Sequence, residues 1–284
     1  MTFFKNLKRF FTLSILKYIF GRFLILRKIS KILNKVFNND ELVSDNNNFV
    51  TVYSSQNEIL DNLYTDGVSK KIKLKNQINN YILNDYKKCK FVSKDYEFQN
   101  FGDLMKNSQL TLPFFSLFRT INGNKINTHK NFDDLFDKIS RSKNLLDIAK
   151  KYLGNVSKVD INLTYSAVVD LDDSLREKQF QTVNWHYDVH SLNFLYVFFY
   201  ITDTNRFSGA HQMIKKSHKK KSLFKHLIGS AIHSNHDLRN FYNKDDFYII
   251  EGTQGEGFFE DTSCFHRALK PKLKPRLCLQ LRYH

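Results

Sequence analysis

Two side chains that often ligate metals, His186 and Asp188, lie two residues apart in the stretch NWHYDVHSLNFLYVFFYITD, residues 184–203. On a helix, residues two apart point about 200° apart, whereas on a strand they share a face, roughly 6.6 Å apart. The pair can therefore share one ion only if the chain is extended there, which the aromatic and branched residues that follow favour. His190 shares that face but lies about 13 Å from His186 on a straight strand, so we exclude it from the predicted site.

A third ligand has to come from elsewhere, and His266, near the end of the chain, is the candidate. Past a turn region with two prolines, Arg276 opens a segment in which polar and apolar residues alternate. If the apolar face packs on outer helices, the polar face lines a barrel interior, where a buried arginine needs a bidentate anion such as a dicarboxylate. Two histidines and one carboxylate on one face of an iron leave positions open for such a ligand and for O2. The polar face carries Arg276, Cys278, Gln280 and Arg282, and the apolar face carries Leu277, Leu279, Leu281 and Tyr283.

Each motif alone is weak, because a histidine two residues before an aspartate, or a late histidine followed by an arginine, occurs by chance in many proteins. Both together, in this order and on predicted strands, favour an iron oxygenase. Two other classes remain open: a jelly-roll metal protein without oxygenase activity, such as a cupin-like isomerase or a binding module, and a membrane-surface scaffold with an inert β-domain. Arg276 favours the oxygenase, since an isomerase has no need of a carboxylate clamp.

The rest of the chain has to position these residues, and 284 residues with 42% hydrophobic content suffice for a sizeable core. Residues 40–56 are polar and predict a loop or linker. Residues 57–90 have helical spacing that Gly67 interrupts, and residues 131–153 predict two helices that end at Gly154.

After these helices the period changes to the alternation of a strand, in the sequence KVDINLTYSAVVDL that begins at Lys158. Short strands and loops then continue to the end. We therefore predict an α+β protein with a basic amphipathic segment in residues 1–38, a mainly helical supporting region in 39–154 and a β core in 155–284. On the predicted strand, Ile161, Leu163, Tyr165 and Ala167 share one face, and Asn162, Thr164 and Ser166 share the other.

The formal net charge of +16 is concentrated at the start of the chain, where residues 1–37 contain no acid. This segment predicts two amphipathic helices broken near Gly21. Its longest run without charge, Phe10 to Leu16, is well short of the roughly 20 residues that a membrane span needs, and no signal-peptide pattern follows. In the second helix, Ile25, Ile29, Ile32, Leu33 and Val36 oppose Arg27, Lys28, Lys31 and Lys35.

Two interpretations of the basic segment stay open: an anchor on an anionic membrane surface, or ordinary helices that pack on the domain. Nucleic acid is an unfavoured third partner, because no base-reading motif accompanies the charge. The three cysteines, Cys89, Cys264 and Cys278, have no zinc spacing and predict no disulfide framework. We therefore expect a protein of the cytoplasm, with a peripheral position on the inner membrane face if the anchor interpretation holds.

Residues 140–284 resemble the phytanoyl-CoA dioxygenase (PhyH-like) family of Fe(II)- and 2-oxoglutarate-dependent oxygenases. The resemblance runs through the motifs AKKYLGN, WHYD, FFYITDTNRFSGAHQMIKKSHKK and GEGFFEDTSCFHRALKPKLKPRLCLQLRY. It implies a double-stranded β-helix, or jelly-roll, core in the C-terminal half, flanked by N-terminal helices. It also implies hydroxylation of a C–H bond, with O2 as oxidant and release of succinate and CO2. The substrate would be a small molecule or one linked to a lipid or glycan.

The resemblance implies that His186, Asp188 and His266 bind iron, and that Arg276 holds the distal carboxylate of 2-oxoglutarate. Gln280 and Thr164 are our further candidates for cosubstrate contacts, and with Asn184 they are candidates for orienting the histidines. Two departures from the family pattern are Lys215-Lys216 in place of Pro-Gly, and Cys278 in place of a serine two residues after the arginine.

Three further residues have ordinary structural interpretations. His211 and His218 lie near a lysine-rich stretch and are expected to be solvated, without a catalytic role. Trp185 is next to a predicted ligand but points to the opposite face of the strand, so we expect it in the core. The lysine cluster between residues 215 and 225 could attract an anionic substrate, although a solvated surface is the simpler expectation.

Overall fold

The computed structural model describes residues 21, 23–37, 41–91, 99–106, 113–119, 130–168, 183–188, 192–221 and 233–284. The first predicted amphipathic helix, in residues 1–20, and His190 lie outside these residues, as does the end of the lysine cluster beyond residue 221. The described helices are α1 (Leu24–Phe37), α2 (Gln56–Thr65), α3 (Asn76–Asp85), α4 (Phe101–Lys106), α5 (Lys130–Ser140), α6 (Lys143–Leu153) and α7 (Asn235–Phe241), with 3₁₀ turns at Tyr86–Lys88 and Lys244–Asp246. The described strands are β1 (Val50–Val52), β2 (Val68–Leu74), β3 (Lys90–Phe91), β4 (Gln99–Asn100), β5 (Pro113–Arg119), β6 (Val159–Ser166), β7 (Leu195–Tyr200), β8 (His211–Ile214), β9 (Phe247–Ile250), β10 (Glu256–Glu260), β11 (His266–Ala268) and β12 (Arg276–Tyr283).

Two antiparallel sheets form the jelly roll. The larger sheet has seven strands in the order β1-β2-β10-β7-β12-β6-β5, and the smaller has three in the order β11-β8-β9. A short antiparallel bridge between His186 and His266 extends the smaller sheet at the edge of β11. This is the α+β double-stranded β-helix that the sequence predicts; β3 and β4 pair separately from it.

The alternation of β6 and β12 decides which side chains meet the helices. Leu279 lies opposite Leu163 in this pair of strands, and both belong to a core on the outer face of the larger sheet. That core includes residues of α2, α5 and α6, among them Leu63, Phe136 and Leu146. Each leucine or phenylalanine buried in this way contributes about 1.5–3 kcal/mol. The prediction that the leucine face packs on the helices is confirmed.

The inner face of the larger sheet meets the smaller sheet in a second core, rich in aromatic rings. Phe198 of β7 stacks on Phe258 of β10 with ring centroids 4.9 Å apart, and Met213 of β8 packs against the same cluster from the opposite sheet. The predicted polar face of β12 points into this space, where Cys278 is buried. The interior is therefore partly filled by aromatic side chains and partly lined by polar ones.

The supporting region 39–154 is not only helical, and here the predictions were wrong in two places. The predicted loop contains β1, and the predicted helical stretch 57–90 contains β2, which pairs with both β1 and β10. Lysines occupy three of the seven positions of β2, which obscures its alternation, and Lys71 has a φ of 52° that breaks the regular strand. With β5, three strands from this region widen the larger sheet.

Helix α1 confirms the second predicted amphipathic helix from Leu24 onward, but the face it turns to the domain is polar. Its Arg27 is buried and forms an ion pair with the buried carboxylate of Asp261, at 3.1 and 2.9 Å for the two pairs of atoms. The same guanidinium donates a hydrogen bond of 2.6 Å to the hydroxyl of Ser263. None of the described helices is long and apolar enough to cross a membrane.

Gly154 ends α6 as predicted, with a φ of +92° that a side chain would strain. It also lies directly beneath α1. A β-carbon added at this position would lie 2.2 Å from the carbonyl oxygen of Lys31. The glycine therefore has two functions, since it terminates one helix and allows the backbone of another to approach.

Candidate metal centre

The backbone brings the three predicted ligands together before their side chains are considered. The amide of His186 donates to the carbonyl of His266 at 3.1 Å, and the amide of His266 donates back at 2.8 Å. Two residues along, the amide of Asp188 donates to the carbonyl of Thr262 at 2.8 Å. The extended conformation predicted near residue 186 is therefore held by pairing with the segment that leads into β11.

The side chains of these residues converge. One ligand atom from each of His186, Asp188 and His266 can be chosen such that all lie within 4.8 Å of one another. The two imidazole rings have centroids 4.3 Å apart, and Nε2 of His266 lies 3.7 Å from a carboxylate oxygen of Asp188. Two imidazoles and one carboxylate this close together are a donor set that a divalent transition metal accepts.

Main-chain carbonyls orient both rings. Nδ1 of His186 lies 2.8 Å from the carbonyl oxygen of Asn184, and Nδ1 of His266 lies 3.0 Å from that of Cys264. Because a carbonyl only accepts, each Nδ1 carries a proton, and the lone pair of the neutral ring is then on Nε2, where it can bind a metal. Asn184, one of the candidates for orienting the histidines, therefore orients His186 through its backbone carbonyl.

Burial keeps the later histidine in the form that binds metals. Burial, and next the neighbouring His186, lower the pKa of His266 to about 4, so its imidazole is neutral at ordinary pH. A neutral imidazole is the ligand form, because a protonated ring has no free lone pair.

The polar face of β12 runs through the interior beside β6. Arg276 is buried, and it donates from one terminal nitrogen to the carbonyl of Gly209 at 2.5 Å and from the other to the hydroxyl of Ser166 at 3.3 Å. Its Nε is buried without a hydrogen-bond partner among the described residues. An unpaired donor on a buried guanidinium is costly, and a carboxylate would satisfy it. Along this face the facing pairs are Arg276 with Ser166, Cys278 with Thr164, Gln280 with Asn162, and Arg282 with Asp160.

The two further cosubstrate candidates, Thr164 and Gln280, are joined through Asn162. The hydroxyl of Thr164 donates to the side-chain oxygen of Asn162 at 2.8 Å, and the amide of Asn162 donates to the side-chain oxygen of Gln280 at 2.8 Å. This chain of hydrogen bonds lies next to Arg276 on the same face of the strands. A cosubstrate role for Thr164 and Gln280 stays a prediction. Their predicted role in orienting the histidines is instead filled by backbone carbonyls.

His211 and His218 are buried, so the expectation that they are solvated was wrong. His211 lies on β8, and its ring is stacked on that of His266 with centroids 5.2 Å apart. His218 packs beneath the loop before β11, with Nδ1 3.1 Å from the sulfur of Cys264. The lysines beside them in the sequence suggested a solvated loop. The contacts that bury the two histidines come from distant parts of the chain, so they leave no pattern in the neighbouring sequence.

A carboxylate that sequence reasoning missed, Glu260 at the end of β10, is fully buried next to this centre. One of its oxygens lies 2.8 Å from Nε2 of His211. Burial raises the pKa of Glu260 to about 8, and burial lowers the pKa of His211 to about 3. Both groups are therefore uncharged at neutral pH. The available signal was an acid at an inward position of the otherwise apolar run GFFE.

Trp185, predicted to point away from the ligands, is buried on the outer side of the smaller sheet. It packs edge-on against Phe247, and the guanidinium of Arg267 lies over its ring at 4.6 Å. Its role in the core is confirmed. Cys264 and Cys278, with the third cysteine Cys89, are buried thiols outside any disulfide.

The sequence matches no protein-family model and no curated protein. The fold does have solved relatives. The non-heme alpha ketoglutarate dependent epimerase SnoN from nogalamycin biosynthesis aligns with a TM-score of 0.55 at 10% identity, over 80% of this chain and 82% of its own. EvdO2 from Micromonospora carbonacea var. aurantiaca, complexed with 2-oxoglutarate, aligns with a TM-score of 0.51 at 8% identity, over 82% and 92%. EctD from S. alaskensis aligns with a TM-score of 0.50 at 13% identity, over 87% and 82%. These likenesses show that the chain has the fold of these proteins; the resemblance to the phytanoyl-CoA dioxygenase family stays a prediction.

Proposed function

We propose that this protein is an Fe(II)- and 2-oxoglutarate-dependent dioxygenase that hydroxylates a C–H bond. The observation that carries the proposal is the convergence of His186, Asp188 and His266 in a jelly-roll interior, with both Nε2 atoms available. Arg276 in the same interior supplies the second half of the argument, because its Nε has no described partner. Two fold relatives support the proposal, since SnoN is an alpha ketoglutarate dependent enzyme and EvdO2 forms a complex with 2-oxoglutarate.

The residues present fit the proposed groups. The three ligands would hold a ferrous ion on one face, and Arg276 would bind the distal carboxylate of 2-oxoglutarate with its planar fork. A bound ferrous ion with this cosubstrate would supply the oxidation, in which O2 is consumed and succinate and CO2 are released. The protein's own contributions are to orient both histidines, to hold the dicarboxylate by its far end, and to surround the reacting groups with aromatic side chains that exclude water.

The substrate we propose is a small molecule, or one attached to a lipid or glycan. Aromatic side chains, including Phe198 and Phe258, form much of the wall of the interior, and they suit an apolar or ring-shaped substrate. Hydroxylation is the outcome proposed, and epimerisation is the alternative outcome at the same kind of centre, because the fold relative SnoN is an epimerase.

The test is release of succinate from 2-oxoglutarate by the protein reconstituted with Fe(II) without oxygen and then exposed to air. Wild type is compared with His266→Ala and Arg276→Ala. The matched control for the histidine is His236→Ala, whose side chain is 84% exposed, and the control for the arginine is Arg206→Ala, at 58%. Binding is read separately, from the charge-transfer absorption that a 2-oxo acid gives when it chelates Fe(II).

We expect succinate from wild type and both controls, none from His266→Ala, and strongly reduced binding of 2-oxoglutarate by Arg276→Ala. Equal turnover in all five proteins would overturn the assignment of the site. Iron bound through the three ligands, without binding or turnover of 2-oxoglutarate, would instead identify a jelly-roll metal protein of another class.

A further inference from the structure

Helix α1 is attached to the domain through the face that carries Arg27 and Ser30, both buried. The ion pair of Arg27 with Asp261, its bond to Ser263 and the approach of Lys31 to Gly154 all lie on this side. In an ordinary surface helix the apolar stripe would be the buried one. Here a buried arginine with a buried acidic partner fixes the opposite orientation.

The consequence is an apolar stripe that faces away from the protein. At about 100° of rotation per residue, its side chains lie within an arc of about 100° on the side opposite Arg27 and Ser30. Ile25 is 69% exposed, and Ile32 and Val36 are each 64% exposed. Exposed apolar residues are usually scattered singly over a protein surface. A contiguous exposed apolar patch of this kind therefore marks an interaction surface. The stripe consists of Ile25, Ile29, Ile32, Leu33 and Val36.

Positive charges border the stripe. Lys28 and Lys35 are exposed and lie along one edge of it. Lys28 also lines, with Lys31 and Lys219, a cavity of about 590 Å³ between α1 and the domain. Within residues 1–37 there is no acid to offset these charges. An apolar stripe bordered by cations on one side is complementary to a surface in which a layer of negative charge covers an apolar layer.

We propose that α1 docks the protein on the surface of an anionic lipid membrane. The stripe would lie in the boundary between headgroups and acyl chains, and Lys28 and Lys35 would contact the anionic headgroups. The helix lies in the plane of the membrane and does not cross it. Because Arg27 ties the inner face of α1 to Asp261, the docked surface is also rigidly attached to the segment that leads into His266.

The test is flotation of the full chain with lipid vesicles made of phosphatidylcholine alone or of phosphatidylcholine with phosphatidylserine. The test variant, Ile29→Gln/Ile32→Gln/Leu33→Gln, removes three side chains of the stripe. Burying one such side chain corresponds to roughly tenfold in a partition constant. Because three such side chains are removed, we expect the triple variant to bind the anionic vesicles about 1000-fold more weakly. Circular dichroism melting checks that these exposed substitutions leave the fold intact.

A matched control removes three apolar side chains elsewhere that are exposed to a similar or greater degree: Val43→Gln/Phe207→Gln/Leu273→Gln, at 72, 50 and 74% exposure. This control should float as wild type does. A second variant, Lys28→Gln/Lys35→Gln, should bind the mixed vesicles more weakly, and the remaining binding should depend less on salt.

Four results would overturn the proposal. The first is a wild type that stays unbound on both kinds of vesicle, and the second is a triple variant that floats like wild type. The third is a chain without residues 1–20 that no longer floats while the triple variant still does. That result would place the binding surface in residues 1–20. The fourth is a wild type that does not float but forms a dimer in light scattering without lipid, together with a triple variant that is monomeric. That result would identify a second copy of the chain as the occupant of the stripe.

Discussion

The side chains of Arg27 and Asp261, 234 residues apart in the chain, form a buried ion pair that joins helix α1 to the loop before β11. Asp261 also accepts hydrogen bonds from the hydroxyl of Tyr152 at 2.6 Å and from the amide of Ser263 at 3.0 Å. Burial raises the pKa of Asp261, but Arg27 and then His218 outweigh it and hold that pKa well below its usual range. The carboxylate of Asp261 is therefore charged in the folded protein, and these partners stabilise its buried charge.

Removing either partner of this pair should destabilise the fold strongly. We expect Arg27→Ala and Asp261→Ala each to lower the free energy of unfolding by about 3–5 kcal/mol, because each leaves an uncompensated buried charge. The double variant should lose less than the sum of the two. Urea denaturation measures all three. The control, Lys143→Ala, breaks the partly exposed pair with Asp147 and should cost at most about 1 kcal/mol. Additive losses in the double variant would contradict the pairing.

The glycine beneath α1 gives a second prediction. Gly154→Ala should destabilise the protein by at least about 1–2 kcal/mol, since the residue has a φ of +92° and the new methyl group would meet the carbonyl of Lys31. It should also speed proteolysis within α1. Gly102→Ala is the control, because it lies inside α4 and its added β-carbon would meet no atom within 4 Å apart from its chain neighbours and the backbone of its own helix. That variant should be neutral or more stable by up to about 1 kcal/mol. Equal effects of the two substitutions would contradict this packing.

Metal binding should be visible as stability. If the three ligands hold a divalent metal, adding Fe(II), Mn(II) or Co(II) without oxygen raises the melting temperature, and a chelator reverses the rise. At a hundredfold excess over Kd the gain corresponds to about 2.7 kcal/mol. His186→Ala and Asp188→Ala should show no rise, whereas the exposed His236→Ala should show the full one. A rise of the same size in Asp188→Ala would exclude the carboxylate as a ligand.

Arg276→Lys keeps the charge but loses the planar fork. We expect the affinity for 2-oxoglutarate to fall roughly 10- to 100-fold, which is the value of a charged hydrogen bond, while Fe(II) binding is unchanged. The Kd from the charge-transfer titration and the KM for 2-oxoglutarate should rise together. Arg206→Lys, on the surface, is the control. An unchanged Kd in Arg276→Lys would show that the distal carboxylate binds elsewhere.

The buried His218 predicts a dependence of stability on pH. Burial lowers its pKa to about 4, and an unfolded histidine titrates near 6.5. Between these values the unfolded chain binds more protons, so the free energy of unfolding falls as the pH drops from about 6.5 to about 4. In His218→Asn the slope should be smaller by up to about 1.4 kcal/mol per pH unit, and other buried histidines keep the remainder. In the control His236→Asn the slope should match wild type, and an unchanged slope in His218→Asn would contradict the prediction.

The features that the sequence predicted correctly are those with a local period. The alternation of β6 and β12, the helices on either side of Arg141 and the cap at Gly154 all follow from spacing between near neighbours. The pairing of His186 with His266 was inferred from chemistry instead, because two ligands on one strand need a third from elsewhere.

The features it missed depend on contacts far apart in the chain. β2 carries three lysines and becomes a strand because β1 and β10 pair with it on both sides. The burial of His218 depends on Gly67, where an added β-carbon would lie 3.1 Å from the imidazole and 2.4 Å from the sulfur of Cys264. The amphipathic pattern of α1 predicted a helix, but the usual rule for its orientation was reversed by a single acid more than 200 residues away.

Main-chain oxygens, rather than neighbouring carboxylates or amides, set the tautomers of both imidazoles at the candidate centre. Every amino acid offers that oxygen. Residues 184 and 264 can therefore be substituted in evolution while each imidazole keeps its carbonyl partner. The side chains of the jelly-roll interior can therefore change, while the orientation of the two imidazoles is inherited with the path of the backbone.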